Sequence, residues 1–103
     1  TLLSLKDKTK FAVLEMGTNH FGEIADMARI AKPDTAVITN IGNTHLKFLK
    51  NRGEVFKEKI TLLNEIKKGG LLVINSDDEY LDKINHKRIL TFGFNKRADF
   101  FAS

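Results

Sequence analysis

The feature that most constrains this chain is an alternation of short, continuous apolar runs with segments of helical period. FAVL at 11–14, TAVIT at 35–39, LLVI at 71–74 and RILTF at 88–92 are too short for helices and read as strands. Between the first two, residues 23–31 place Ile24, Met27, Ala28 and Ala31 on one helical face until Pro33 stops the run. A second helical period covers 53–67 and closes at Gly69-Gly70, while NSDD at 75–78 caps a short helix through about Ile84. DFFA at 99–102 can open a fifth strand. The order β-α-β-α-β-α-β, with strands apolar on both faces, predicts the α/β class: a mainly parallel sheet with helices on both faces. Right-handed crossovers put the carboxyl ends of the strands on one edge, where ligands bind in such folds.

One residue breaks the helical pattern. With Phe56 at zero and 100° per residue, Val55, Ile60, Leu62, Leu63 and Ile66 fall in an arc of roughly 160°. Lys59 falls inside that arc, whereas Lys57, Glu58, Thr61, Asn64 and Glu65 point the other way. A buried ammonium loses its proton, finds a carboxylate, is modified, or escapes by extending its stem along apolar surface. The pattern leaves these outcomes open, including reaction of a neutral amine with carbon dioxide to give an oxygen-bearing carbamate that could ligate a divalent metal.

Three other candidates come to the same sheet edge or precede a helix. Glu15 ends the first apolar run, where its carboxylate can hold Mg²⁺ beside phosphates or simply form a salt bridge. His45 lies in the long loop after the second run, as a site residue or a loop histidine with a satisfied ring. His20 precedes a helix start and can face a substrate or cap, and His86 reads as a surface residue.

Composition removes several classes. There is no cysteine, hence no disulfide and no thiolate metal site, which fits a reducing, cytoplasmic setting. No stretch is long and apolar enough to span a membrane, and there is no signal-peptide pattern. The net charge of +4 invites a nucleic-acid reading, but the lysines are interleaved with acids and no aromatic–basic spacing would stack bases. A non-catalytic basic domain binding nucleic acid is therefore the weaker reading. No phosphate loop, nucleophile elbow or zinc helix is present.

Several blocks in register resemble the Mur ligases, specifically the branch that adds D-alanyl-D-alanine. EMGTNHFGEI at 15–24, AKPDTAVITNIGNTHLKF at 31–48, KEKITLL at 57–63 and GGLLVINSDDEYL at 69–81 follow that family's order and spacing. Other Mur-type ligases and folylpolyglutamate synthetases are the alternative, and the G-x-N-H-x-G-E-I block discriminates against them. The resemblance implies a partial P-loop-NTPase-like central domain, with residues 1–103 an internal piece that lacks the phosphate loop and the N- and C-terminal domains. It implies ATP and Mg²⁺ as cofactors, with UDP-MurNAc-tripeptide and D-Ala-D-Ala as substrates joined through an acyl phosphate. By the same resemblance Glu15 binds Mg²⁺ at the ATP phosphates. His45 and a carbamylated Lys59, fourteen residues further on, bind a second ion. Asn19 and His20 fall on the substrate side. Asn75 matches a family position too, although a capping role explains it equally well. The chain departs from the family at Lys47 and Thr61, where acids are usual. As an incomplete domain it is expected to be inactive alone, with an open sheet edge through which it could self-associate.

Overall fold

The computed structural model describes residues 10–17, 21–42 and 51–102. Among them, four strands form one sheet in the order β1 (Thr35–Ile38), β2 (Leu71–Asn75), β3 (Ile89–Gly93) and β4 (Phe100–Phe101). Every pairing is parallel, with Ala36 beside Leu72, Ile74 beside Thr91, and Phe92 beside Phe100. Helix α1 spans Glu23–Ala31 and helix α2 spans Arg52–Ile60. This is the expected parallel α/β architecture, with the strand and α1 positions close to those that apolar patterning predicts.

The core forms where Ala36 and Ile38 of β1 and Leu72 and Ile74 of β2 meet Ile41, Val55 and Leu81, with Phe56, Leu62, Leu63 and Tyr80 packed around them. Leu72 is fully buried, a placement worth about 1.5–3 kcal/mol relative to exposure. Burial in β1 alternates: Val37, on the opposite face, is 55% exposed. That face of β1 is therefore open among the described residues, and β1 is an edge of the described sheet.

Two expectations are corrected. The apolar run at 11–14 is not a strand; Phe11 and Val13 are 89% and 98% exposed, and residues 10–17 have no regular structure. Apolar content alone does not make a strand, because its backbone needs a neighbouring ladder, and the described sheet provides none for it. The second helix is also shorter than its period suggests. It gives way at Thr61 to a 3₁₀ turn over Thr61–Glu65, where the Thr61 hydroxyl takes the Glu58 carbonyl at 2.6 Å. That side-chain bond competes with the α-helical ladder, and the tighter turn shifts the phase of Leu62, Leu63 and Ile66.

Connections are fixed by local chemistry. Asn51 caps α2 by accepting from the Glu54 amide. Lys32 closes α1 in the left-handed region at φ 48°, its amide bonded to the Ala28 carbonyl. After β2, Asn75 Oδ1 accepts from the Asp77 amide, and Asp78 Oδ1 then caps a 3₁₀ turn at Leu81–Lys83 through the Tyr80 and Leu81 amides. Asn75 thus closes a local turn, and the capping expected of it falls to Asp78.

Candidate functional site

The carboxyl ends of β1 and β2 lie side by side, and charged side chains converge on the residues that leave β1. Lys59 Nζ donates to the Asn40 carbonyl at 2.9 Å. Asp78 Oδ2 accepts from the Ile41 amide at 2.7 Å, and Arg52 Nε donates to the Ile41 carbonyl at 2.8 Å. Arg52 also lies 3.6 Å from Asp78 and 3.0 Å from Glu79, with its guanidinium 4.9 Å above the Tyr80 ring. Asp78 and Ile41 are buried.

Lys59 is half-buried, so neither the solvated nor the fully interred extreme describes it. From α2 its Nζ reaches the Asn40 carbonyl just beyond the carboxyl end of β1. Loss of solvation pushes its ammonium below the ordinary value of 10.5, an effect opposed by the nearby Asp78 charge. The amine is therefore easier to neutralise than that of a solvated lysine, and a neutral amine is the form that reacts with carbon dioxide. The chemistry of this donor fits the carbamate reading, and the exposed Glu15 carboxylate fits a hard cation. Among the described residues, no three His, Cys, Asp or Glu side chains are grouped to hold a metal ion. The candidates Asn19, His20 and His45 lie outside the described residues.

Glu58 was placed on the solvent side by helical geometry, but it is 4% exposed. Its Oε2 accepts from the Gly22 amide at 3.0 Å and its Oε1 from the Ile24 amide at 3.1 Å. The reason is tertiary. Helix α1 starts at Gly22, which has φ 89° and no side chain with which to cap. Glu58 reaches across from α2 to satisfy those amides and to complement the positive end of α1. Arg52 and Asp78 were also missed as partners of β1. The only sequence signal was the Asp-Asp pair after the third apolar run, which reads as a cap and says nothing of Ile41.

A family model described as the Mur ligase middle domain matches residues 1–103. The chain belongs to the Mur ligase family. It is 36% identical over 100 residues to the UDP-N-acetylmuramoyl-tripeptide–D-alanyl-D-alanine ligase of Bacillus subtilis, covering 97% of this chain and 22% of that protein. The ligase of the same name from Rickettsia prowazekii is 32% identical, over 94% of this chain and 23% of its own length. A crystal structure of MurF from Acinetobacter baumannii superposes with a TM-score of 0.90 at 30% identity, across 99% of this chain and 23% of that one. MurF from Thermotoga maritima in complex with ADP gives 0.69 at 32% identity, over 73% and 18%. This Mur ligase chain thus spans about a quarter of the length of the relatives it matches. No helix among its described residues is long and apolar enough to cross a membrane.

Proposed function

We propose that this chain is the central, nucleotide- and metal-handling part of an ATP-dependent ligase that joins D-Ala-D-Ala to UDP-MurNAc-tripeptide. The observation that carries the reading is agreement along nearly the whole chain with ligases of that name, including 36% identity to the B. subtilis protein. In this reading Glu15, His45 and Lys59 hold Mg²⁺, and Asn19 and His20 face the peptide substrate. When bound, the metal supplies charge screening between the nucleotide phosphates and the substrate carboxylate.

The chain's own contribution is the preparation of Lys59. Desolvation weakens its hold on the proton, and the Asn40 carbonyl fixes its head at the carboxyl edge of the sheet. Carbon dioxide would bond to the neutral nitrogen with loss of a proton, converting a cation that repels metal into an anion with oxygen donors. Glu15 supplies a carboxylate without any modification.

The test is formation of UDP-MurNAc-pentapeptide, followed by mass, from ATP, D-Ala-D-Ala and the UDP-tripeptide by the intact ligase that contains this segment. Lys59→Ala should reduce turnover by at least about 100-fold, the upper range for losing a group that organises a metal site. Full activity in that variant removes Lys59 from the mechanism. The 103-residue chain by itself is expected to release no phosphate in the same assay.

A further inference from the structure

The contacts at the end of β1 form a chain with a mechanical consequence. The Asn40 carbonyl and the Ile41 amide belong to one planar, trans peptide group, so they point in opposite directions. Asp78 Oδ2 holds the amide side at 2.7 Å and Lys59 Nζ holds the carbonyl side at 2.9 Å. The next carbonyl, of Ile41, is taken by Arg52 Nε, and the same guanidinium lies beside Asp78. Rotation of the Asn40–Ile41 peptide would break the bond to Asp78 and the bond to Lys59 together.

From this geometry we infer that Asp78 and Arg52 are positioning residues for Lys59, acting on it through the rigid Asn40–Ile41 peptide. The assignment deepens the proposed function and rests on it for its catalytic meaning. Asp78 aims the Asn40 carbonyl by gripping the other side of the same plane. Arg52 keeps Asp78 in place and pins the following carbonyl, so the peptide cannot flip to meet solvent. Asp78 is buried and its second oxygen is engaged by the Tyr80 and Leu81 amides, which leaves it little freedom to reorient. Lys59 is thereby held at one place on the sheet edge instead of sampling the rotamers of a free lysine.

Two experiments test this. In the first, surface lysines of the 103-residue chain are reductively methylated with limiting formaldehyde and excess cyanoborohydride, and Lys59 labelling is measured by mass against the exposed Lys57 and Lys83. Arg52→Ala and Asp78→Asn should raise the Lys59 ratio about fivefold, the effect of releasing one ordinary hydrogen bond. Arg52→Lys, which keeps the charge and one donor, should recover part of the difference. An unchanged ratio in a folded Arg52→Ala protein overturns the inference, and this variant decides the matter if Asp78→Asn fails to fold. A general loosening would raise labelling at all three lysines together and would also count against it.

The second experiment uses the intact ligase. Arg52→Ala should lower kcat about tenfold with the KM for ATP within about twofold, the pattern for losing orientation of a ligand without losing substrate binding. Unchanged kcat overturns the inference. If the unmodified ligase forms no D-Ala-D-Ala product, the proposed function fails, and the labelling ratio still judges the clamp by itself.

Discussion

Replacing Glu58 with alanine should undo the joint between the two helices. The carboxylate sits in the interior and receives two backbone amides, from Gly22 and Ile24, at 3.0 and 3.1 Å. A hydrogen bond to a charged group contributes about 1.5–3 kcal/mol, and part of that is offset by the desolvation of the carboxylate. Alanine has no acceptor, so it leaves two donors stranded at about 1–3 kcal/mol each. The Ile24 amide is buried and the Gly22 amide is partly so, which puts the expected loss at about 3 kcal/mol. Glutamine should lose roughly half as much, since its single carbonyl oxygen can serve one amide while its NH₂ group faces the other. The assay is urea unfolding of the 103-residue chain followed by far-ultraviolet circular dichroism, with wild type and both variants compared at constant slope. A Glu58→Ala loss below about 0.5 kcal/mol, the scale of an ordinary surface substitution, would refute the reasoning. So would a glutamine variant as stable as wild type.

Two other perturbations read different parts of the fold. Lys59 releases its proton more readily folded than unfolded, so between its folded-state value and 10.5 the unfolded chain binds more protons and stability rises with pH. Wild type should therefore gain stability relative to Lys59→Met as pH is raised from about 7 to about 10. Urea midpoints of the pair check this, and a gap that stays constant or moves the other way contradicts the assigned desolvation. At Gly70, a Cβ would lie 2.6 Å from the Asp34 carbonyl oxygen and 2.8 Å from that of Lys67, and against the Ile66 side chain. Backbone oxygens cannot step aside cheaply, so Gly70→Ala should lose about 2 kcal/mol in the same unfolding assay, and a neutral result would contradict the close approach of these segments.

The contrast between Gly70 and Glu58 shows where sequence reasoning carries and where it stops. Gly69-Gly70 was legible as a break before the next strand, and Gly69 does adopt φ 78° in a turn leading into β2, but the helix it was expected to close ends earlier, at Ile60. Helix α1 was legible because its apolar spacing and Pro33 act within a few residues of one another. The run at 11–14 has the composition of a strand, yet Phe11, Ala12 and Val13 stand exposed, because strand formation depends on a partner that local composition does not specify. The site divides in the same way. Lys59 drew attention because it interrupts a periodic face, and it does reach the carboxyl edge. Neither the 3₁₀ turn that ends its helix nor the Asn40 carbonyl that receives it follows from that periodicity.

Residue order by itself determined the parallel α/β class, the places of α1 and the four paired strands, and the suspicion about Lys59. Each rests on interactions between near neighbours or on a repeat that one element displays alone. Only the tertiary structure decided that Glu58 is interior and that Asp78 and Arg52 grip Ile41. Those outcomes depend on groups 11 to 37 residues apart meeting backbone donors and acceptors that have no local partner. Helical geometry can say which way a side chain leaves its own helix. It cannot say that a second helix, begun by a glycine unable to cap itself, will be waiting on that side with its amides unpaired.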